Sequence, residues 1–144
     1  MTMRPEAGGA AAPPHQWNAP EVSALLGTWH NTERDGAGGL LRITVTECEG
    51  TKSEGAVRVR VLGSGDPEPV DWGEAEAVTY TPPDAPSAAV ALTAAYDSGF
   101  LRTVVSAYVK AGILVATTYN VFTDDSGRAN YWTREFYYRQ GEQQ

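Results

Sequence analysis

The side chains best suited to chemistry in this chain are aromatic rings, amides and one guanidinium spread over its length. Trp29 and Asn31 stand two apart in Leu25-Leu26-Gly27-Thr28-Trp29-His30-Asn31, so in an extended segment both project from one face. Tyr96, Tyr108, Tyr119 or its neighbour Asn120, Trp132 and Arg134 follow on later segments. If the faces that carry them line the inside of a closed sheet, they converge on one cavity, mostly apolar with a few placed polar groups, which is the composition of a small-molecule site. Trp29, Asn31, Tyr96, Asn120 and Trp132 are then the candidate ligand contacts. Tyr108, Tyr119 and Arg134 are the candidate catalytic groups, each able to polarise a substrate that the cavity holds in a reactive shape. The expected chemistry is a cofactor-independent cyclisation, isomerisation or decarboxylation of a largely apolar or aromatic molecule. The alternative is a barrel that binds or carries that molecule without turnover. Each aromatic taken singly has a competing place in a core or interface, because aromatics contribute heavily to both.

Other chemistries find little support in the residue types. His15 and His30 are the two histidines and Cys48 the one cysteine, too few for a multidentate metal site or an intramolecular disulfide. No metal and no cofactor are expected, and His30, on the opposite parity from Trp29, is assigned to the outer wall or a contact between subunits. Gly63-Ser64-Gly65 runs into Asp66-Pro67 and opens no helix, so it reads as a turn and not as a phosphate loop. Ser106 has no histidine assigned to its face and reads as a packed hydroxyl. Glu74 and Glu76 share one face of a segment that Asp71 precedes. Turned inward, such a pair would have raised pKa values and serve as acid and base; with Ala75 and Ala77 turned inward, the carboxylates stay in water.

The elements that must position these residues are extended. Asn18 and Glu21 form a capping box, Trp17 and Val22 a hydrophobic staple, and Pro20 fits the first turn, so a single helical turn is expected up to Leu26, closed by Gly27. Beyond Gly27 the hydrophobic period is two: Leu41, Ile43 and Val45 alternate with Arg42, Thr44 and Thr46, and Val57, Val59 and Val61 with Arg58 and Arg60. Further strands are expected over 74–80, 88–96, 101–110, 113–122 and 129–139, separated by Gly, Pro, Asp and Ser turn signals. With the strand from Thr28 that makes eight strands on short connections, an all-β antiparallel meander. Closing it into an eight-stranded up-and-down barrel removes both sheet edges and leaves an interior for side chains or one small ligand. Residues 1–16 are rich in Ala, Gly and Pro and read as a flexible arm, and 17–144 as a single barrel domain.

The last three strands carry apolar or aromatic residues on both parities: Val104 and Val105, Leu114 and Val115, Tyr131 and Trp132, Phe136 and Tyr137. Which parity faces the cavity is therefore open. One face exceeds what a monomer needs to bury, so a homodimer through these strands is expected, against the alternative of a half-wet outer wall. A net charge of −7 with only eleven Lys and Arg argues against nucleic acid. Residues 1–14 lack the apolar core of a secretory signal and no stretch is long enough to span a bilayer, so a cytoplasmic protein without a membrane partner is expected.

The turn leading into Gly27-x-Trp29, with an arginine returning on the final strand as Arg134 or Arg139, resembles the lipocalin signature. Gly27-Thr28-Trp29-His30-Asn31 also resembles the first strand of streptavidin-type proteins, and Asn130-Tyr131-Trp132 is similar to a late segment of them. Both groups are calycins. The resemblance implies an eight-stranded barrel that encloses a ligand, with Asn31 and Trp132 among its contacts. Apart from the resemblance, Arg134 has a competing role, stacking on Trp29 to close the base of the barrel.

Overall fold

In the computed structural model, residues 20–33, 39–48, 57–65 and 67–139 are described; the expected arm over 1–16 and the capping box at Asn18 lie outside them. Eight strands form one closed barrel: β1 (Gly27–Asn31), β2 (Leu40–Glu47), β3 (Val57–Gly63), β4 (Val70–Tyr80), β5 (Ala91–Asp97), β6 (Leu101–Lys110), β7 (Ile113–Phe122) and β8 (Tyr131–Arg139). Each pairs antiparallel with its sequence neighbour, and β8 returns to β1. The eight-stranded up-and-down barrel expected from the two-residue period is the observed fold. Among the described residues there is no helix. Ser23 to Leu25 make a hydrogen-bonded turn, with the Leu25 and Leu26 amides donating to Val22 and Ser23 carbonyls at 2.9 and 3.3 Å.

Alternation sets the two surfaces. Val57, Val59 and Val61 on β3 are fully buried beside Ile43 and Val45 on β2, while Arg58 and Arg60 point to water. Each such side chain stabilises the fold by roughly 1.5–3 kcal/mol relative to exposure. The expected phase of β2 is corrected at its start. A register shift between Leu40 and Arg42 buries Leu40 and leaves Leu41 half-buried, because a bulge moves one residue out of the alternation.

One end of the barrel is filled. Trp29 is wholly buried there, and its indole Nε1 donates to the Leu25 carbonyl at 3.0 Å. The Arg139 guanidinium lies over the indole, 4.4 Å from its centroid, and Nη2 donates to the Ala24 carbonyl. Gly27, at φ +125°, holds a conformation that side chains disfavour, and a Cβ there would stand 3.3 Å from the Arg139 stem. The segment is tied across the base through Glu21, whose amide donates to Ser87 O and whose carbonyl accepts from the Ala89 amide, both at 2.8 Å. Val22, Leu25 and Ala89 complete the plug.

The β6–β7 hairpin turns on Ala111 and Gly112, both at positive φ, 55° and 80°. That two-residue geometry matches the twist of the strands but places a Cβ at Ala111 in the left-handed region. Ala111→Asn is expected to raise stability by about 0.5–1 kcal/mol, read as a higher urea midpoint, since Asn tolerates that conformation better. An unchanged or lower midpoint would show that the turn is not strained.

Candidate functional site

At the end opposite Trp29 the barrel is hollow. A cavity of about 420 Å³ opens there, lined by Val70 and Trp72 of β4, Tyr96 and Asp97 of β5, Leu101 and Thr103 of β6, and Ser64, Asp71, Ser98 and Phe100 beside them. That volume falls within the range of small-molecule sites, about 300–1,000 Å³. The walls are chiefly rings and aliphatic groups. Trp72 and Tyr96 meet edge to face, with centroids 5.4 Å apart.

A bulge aims Trp72. Register along β3–β4 shifts between Val61 and Leu62, which pair with Gly73 and Asp71, so Trp72 is the extra residue of its strand. Gly73 takes φ +86°, and Asp71 Oδ1 accepts from the Gly73 amide at 2.8 Å. The Trp72 ring then lies against Gly63, where a Cβ would come within 2.6 Å of the indole nitrogen. Arg60 holds Asp71 from outside at 2.8 Å, and with the Gly73 amide it keeps that carboxyl below its usual range. Tyr96 closes the bulge from inside: its hydroxyl lies 2.9 Å from the Val59 carbonyl and 3.1 Å from that of Gly73. Burial, aided by the Asp71 and Glu74 carboxylates, pushes the Tyr96 hydroxyl up to about 12, so it serves as a donor and not as an acid near neutrality.

Behind Thr103 the inner wall of β6–β8 is polar and internally satisfied. Thr103 Oγ1 donates to Asn120 Oδ1 at 2.7 Å, and Asn120 Nδ2 donates to Thr118 Oγ1 at 2.8 Å and to Tyr131 O at 3.3 Å. The Thr118 and Thr133 hydroxyls follow at 2.7 Å. A second cluster sits at the β1–β8 seam. Asn31 Nδ2 donates to Leu40 O at 2.9 Å and Glu135 Oε1 at 3.1 Å, its Oδ1 accepts from the Glu33 amide at 2.7 Å, and the Tyr137 hydroxyl donates to Leu40 O at 2.8 Å. Burial and the adjacent Glu135 carboxylate push the Tyr137 hydroxyl up.

The candidate residues therefore separate. Trp29, Asn31, Tyr96 and Asn120 point inward, yet only Tyr96 lines the cavity; Trp29 plugs the base, and the two amides are engaged in the networks above. Tyr108, Tyr119, Trp132 and Arg134 stand on the outer wall, Trp132 at 61% exposure and Tyr119 at 55%. The expectation that they share one cavity with Trp29 is corrected: inward parity on β6–β8 belongs to Thr103, Val105, Thr118, Asn120 and Tyr137. Arg134 lies 5.5 Å from the Phe136 ring, and the arginine over Trp29 is Arg139. Glu74 and Glu76 are exposed, with Ala75 and Ala77 turned inward.

Every lining residue but Tyr96 was missed as a cavity contact in the sequence: Val70, Trp72, Phe100, Leu101 and Thr103, with Ser64, Asp71, Asp97 and Ser98. The expected strand over 74–80 begins at Val70, which places Gly73 inside it, and a glycine inside a strand marks the bulge that aims Trp72. Among the described residues no group of three or more His, Cys, Asp or Glu is placed to hold a metal ion, and no helix is long and apolar enough to cross a membrane. Comparison with family models, curated proteins and solved structures gave no match to this chain.

The raised Tyr96 value gives a pH test. Its protonated form contributes stability that is complete below the ordinary tyrosine value of 10.0 and is lost as pH rises through about 12. Tyr96→Phe is expected to lower stability at pH 7 by about 1–3 kcal/mol, because the one O–H shared by the part-buried Val59 and Gly73 carbonyls is lost, and to flatten the loss between pH 10 and 12. Denaturant melts over that range check both; an unchanged alkaline slope would mean that Tyr96 ionises freely.

Proposed function

We propose that the barrel binds one small, largely apolar or aromatic molecule in its open-end cavity, as a calycin-type binding or carrier protein. The observation that carries this reading is the 420 Å³ cavity walled by Val70, Trp72, Tyr96, Phe100 and Leu101. Ring faces and aliphatic groups reward a flat apolar ligand through buried area and stacking. Polar recognition is sparse. The Tyr96 hydroxyl and the Asn31 and Asn120 amides are engaged with the protein itself, so the polar groups that line the cavity beside the rings are the Thr103, Ser64 and Ser98 hydroxyls and the Asp71 and Asp97 carboxylates.

Membership of the calycins is part of this proposal. It is supported by the closed barrel, the Gly27-x-Trp29 start and the stacking of Arg139 on Trp29 at the base. Turnover by Tyr108, Tyr119 and Arg134 draws no support from their places on the outer wall, so binding without chemistry is the reading retained.

Titration with N-phenyl-1-naphthylamine, a neutral aromatic probe, tests it through probe enhancement and quenching of the tryptophan emission. One probe per chain is expected, Leu101→Trp should weaken binding at least tenfold by filling the cavity, and Tyr108→Phe or Arg134→Ala should leave it within about twofold. Binding untouched by Leu101→Trp but lost in Trp132→Ala would move the site to the outer wall and end the proposal.

A further inference from the structure

Among the described residues, most of the exposed large apolar side chains stand on the outer wall of β6–β8. Val104, Tyr108, Tyr119, Val121, Trp132 and Phe136 are each at least 39% exposed. Together they leave on the order of 600–700 Å² open, above the ~300–600 Å² of the largest apolar patch on an ordinary monomer and near the ~800 Å² that each partner gives a stable interface. Trp, Tyr and Arg are also the residues that dominate binding energy at interfaces.

Charge narrows the occupant. The chain carries eighteen Asp and Glu against eleven Lys and Arg, yet no carboxylate takes an outward position on β6, β7 or β8, where the charged groups are Arg102, Lys110 and Arg134. Glu74 and Glu76 stand on the outer face of β4. Two copies of so acidic a chain approach at least electrostatic cost through the wall without carboxylates.

The register makes the wall self-complementary. Three rows cross it: Val104, Tyr119 and Trp132; Ser106, Thr117 and Arg134; Tyr108, Val115 and Phe136. In the first two rows a short side chain on β6 matches a long one on β8. A two-fold axis running along β7 sets β6 of one copy against β8 of the other. Val104 then meets Trp132, Ser106 meets Arg134 and Tyr108 meets Phe136, while Tyr119, Thr117 and Val115 lie on the axis, each opposite its own copy. A two-fold interface requires such a patch, in which each contact is made twice.

We propose that this wall is the two-fold interface of a homodimer, packed β7 on β7 with the cavity mouths left open at the barrel ends. The inference is independent of what the cavity holds. Sedimentation equilibrium of the full chain at micromolar concentration is expected to give twice the 15.4 kDa of one chain. Trp132→Glu with Tyr119→Glu should give a monomer with an unchanged far-ultraviolet spectrum and cooperative melt, whereas Val78→Glu, on β4 at 58% exposure, should remain dimeric. In a Cys48→Ser background a short bismaleimide should cross-link Thr117→Cys into covalent dimers and leave Val78→Cys uncoupled. A wild-type monomer at all concentrations, a dimer that survives Trp132→Glu with Tyr119→Glu, or cross-linking at Val78→Cys in place of Thr117→Cys would overturn the proposal.

Discussion

Everything in this barrel depends on how its first strand meets its last. β1 has five residues and joins β8 through three register pairs, Trp29 with Arg139, His30 with Tyr138 and Asn31 with Tyr137. A seam that short gains little from its ladder alone, so side chains reinforce it. At the base, Arg139 lies over Trp29 and reaches the Ala24 carbonyl, while the indole donates to Leu25. Toward the open end, Asn31 and Tyr137 converge on the Leu40 carbonyl, joining three strands at one acceptor. A slip of one residue would turn each of these inward groups to the outside, so the same contacts that close the seam also fix its register.

That closure decides where space remains. A large indole with a guanidinium over it fills one end, and the alanines of β4, β5, β6 and β7 that line the middle allow the valines of β3 to pack across it. The other end keeps its volume because the β4 bulge and the 97–100 turn hold Trp72, Tyr96 and Phe100 at its rim. Polar groups inside the barrel are spent on each other. Such networks specify a structure when fully satisfied, and they leave recognition to shape and ring faces.

The period of two, the strand count and the buried place of Trp29 were legible in the sequence, because each rests on local alternation. The parity of β6–β8 was not. Val104 and Val105, or Trp132 and Thr133, offer apolar or tolerant residues on both faces, and the ordinary rule of apolar inside misleads where Thr103, Thr118 and Asn120 occupy the interior and Trp132, Tyr119 and Phe136 the surface. That choice is fixed by pairing across the whole barrel. Between Arg134 and Arg139, only the register of β8 on β1 decides which meets Trp29. The cavity was anticipated in kind and misplaced in composition, since its walls come from turns and a bulge that break the alternation on which the reading relied.

Native mass spectrometry of the protein purified from its own cells reads the occupancy of the cavity without presupposing a ligand. A retained small molecule at one per chain, released on collisional heating and absent from the Leu101→Trp variant, is the expected result. A wild-type chain that carries nothing and takes up no aromatic compound from a mixed library in the same instrument would contradict it.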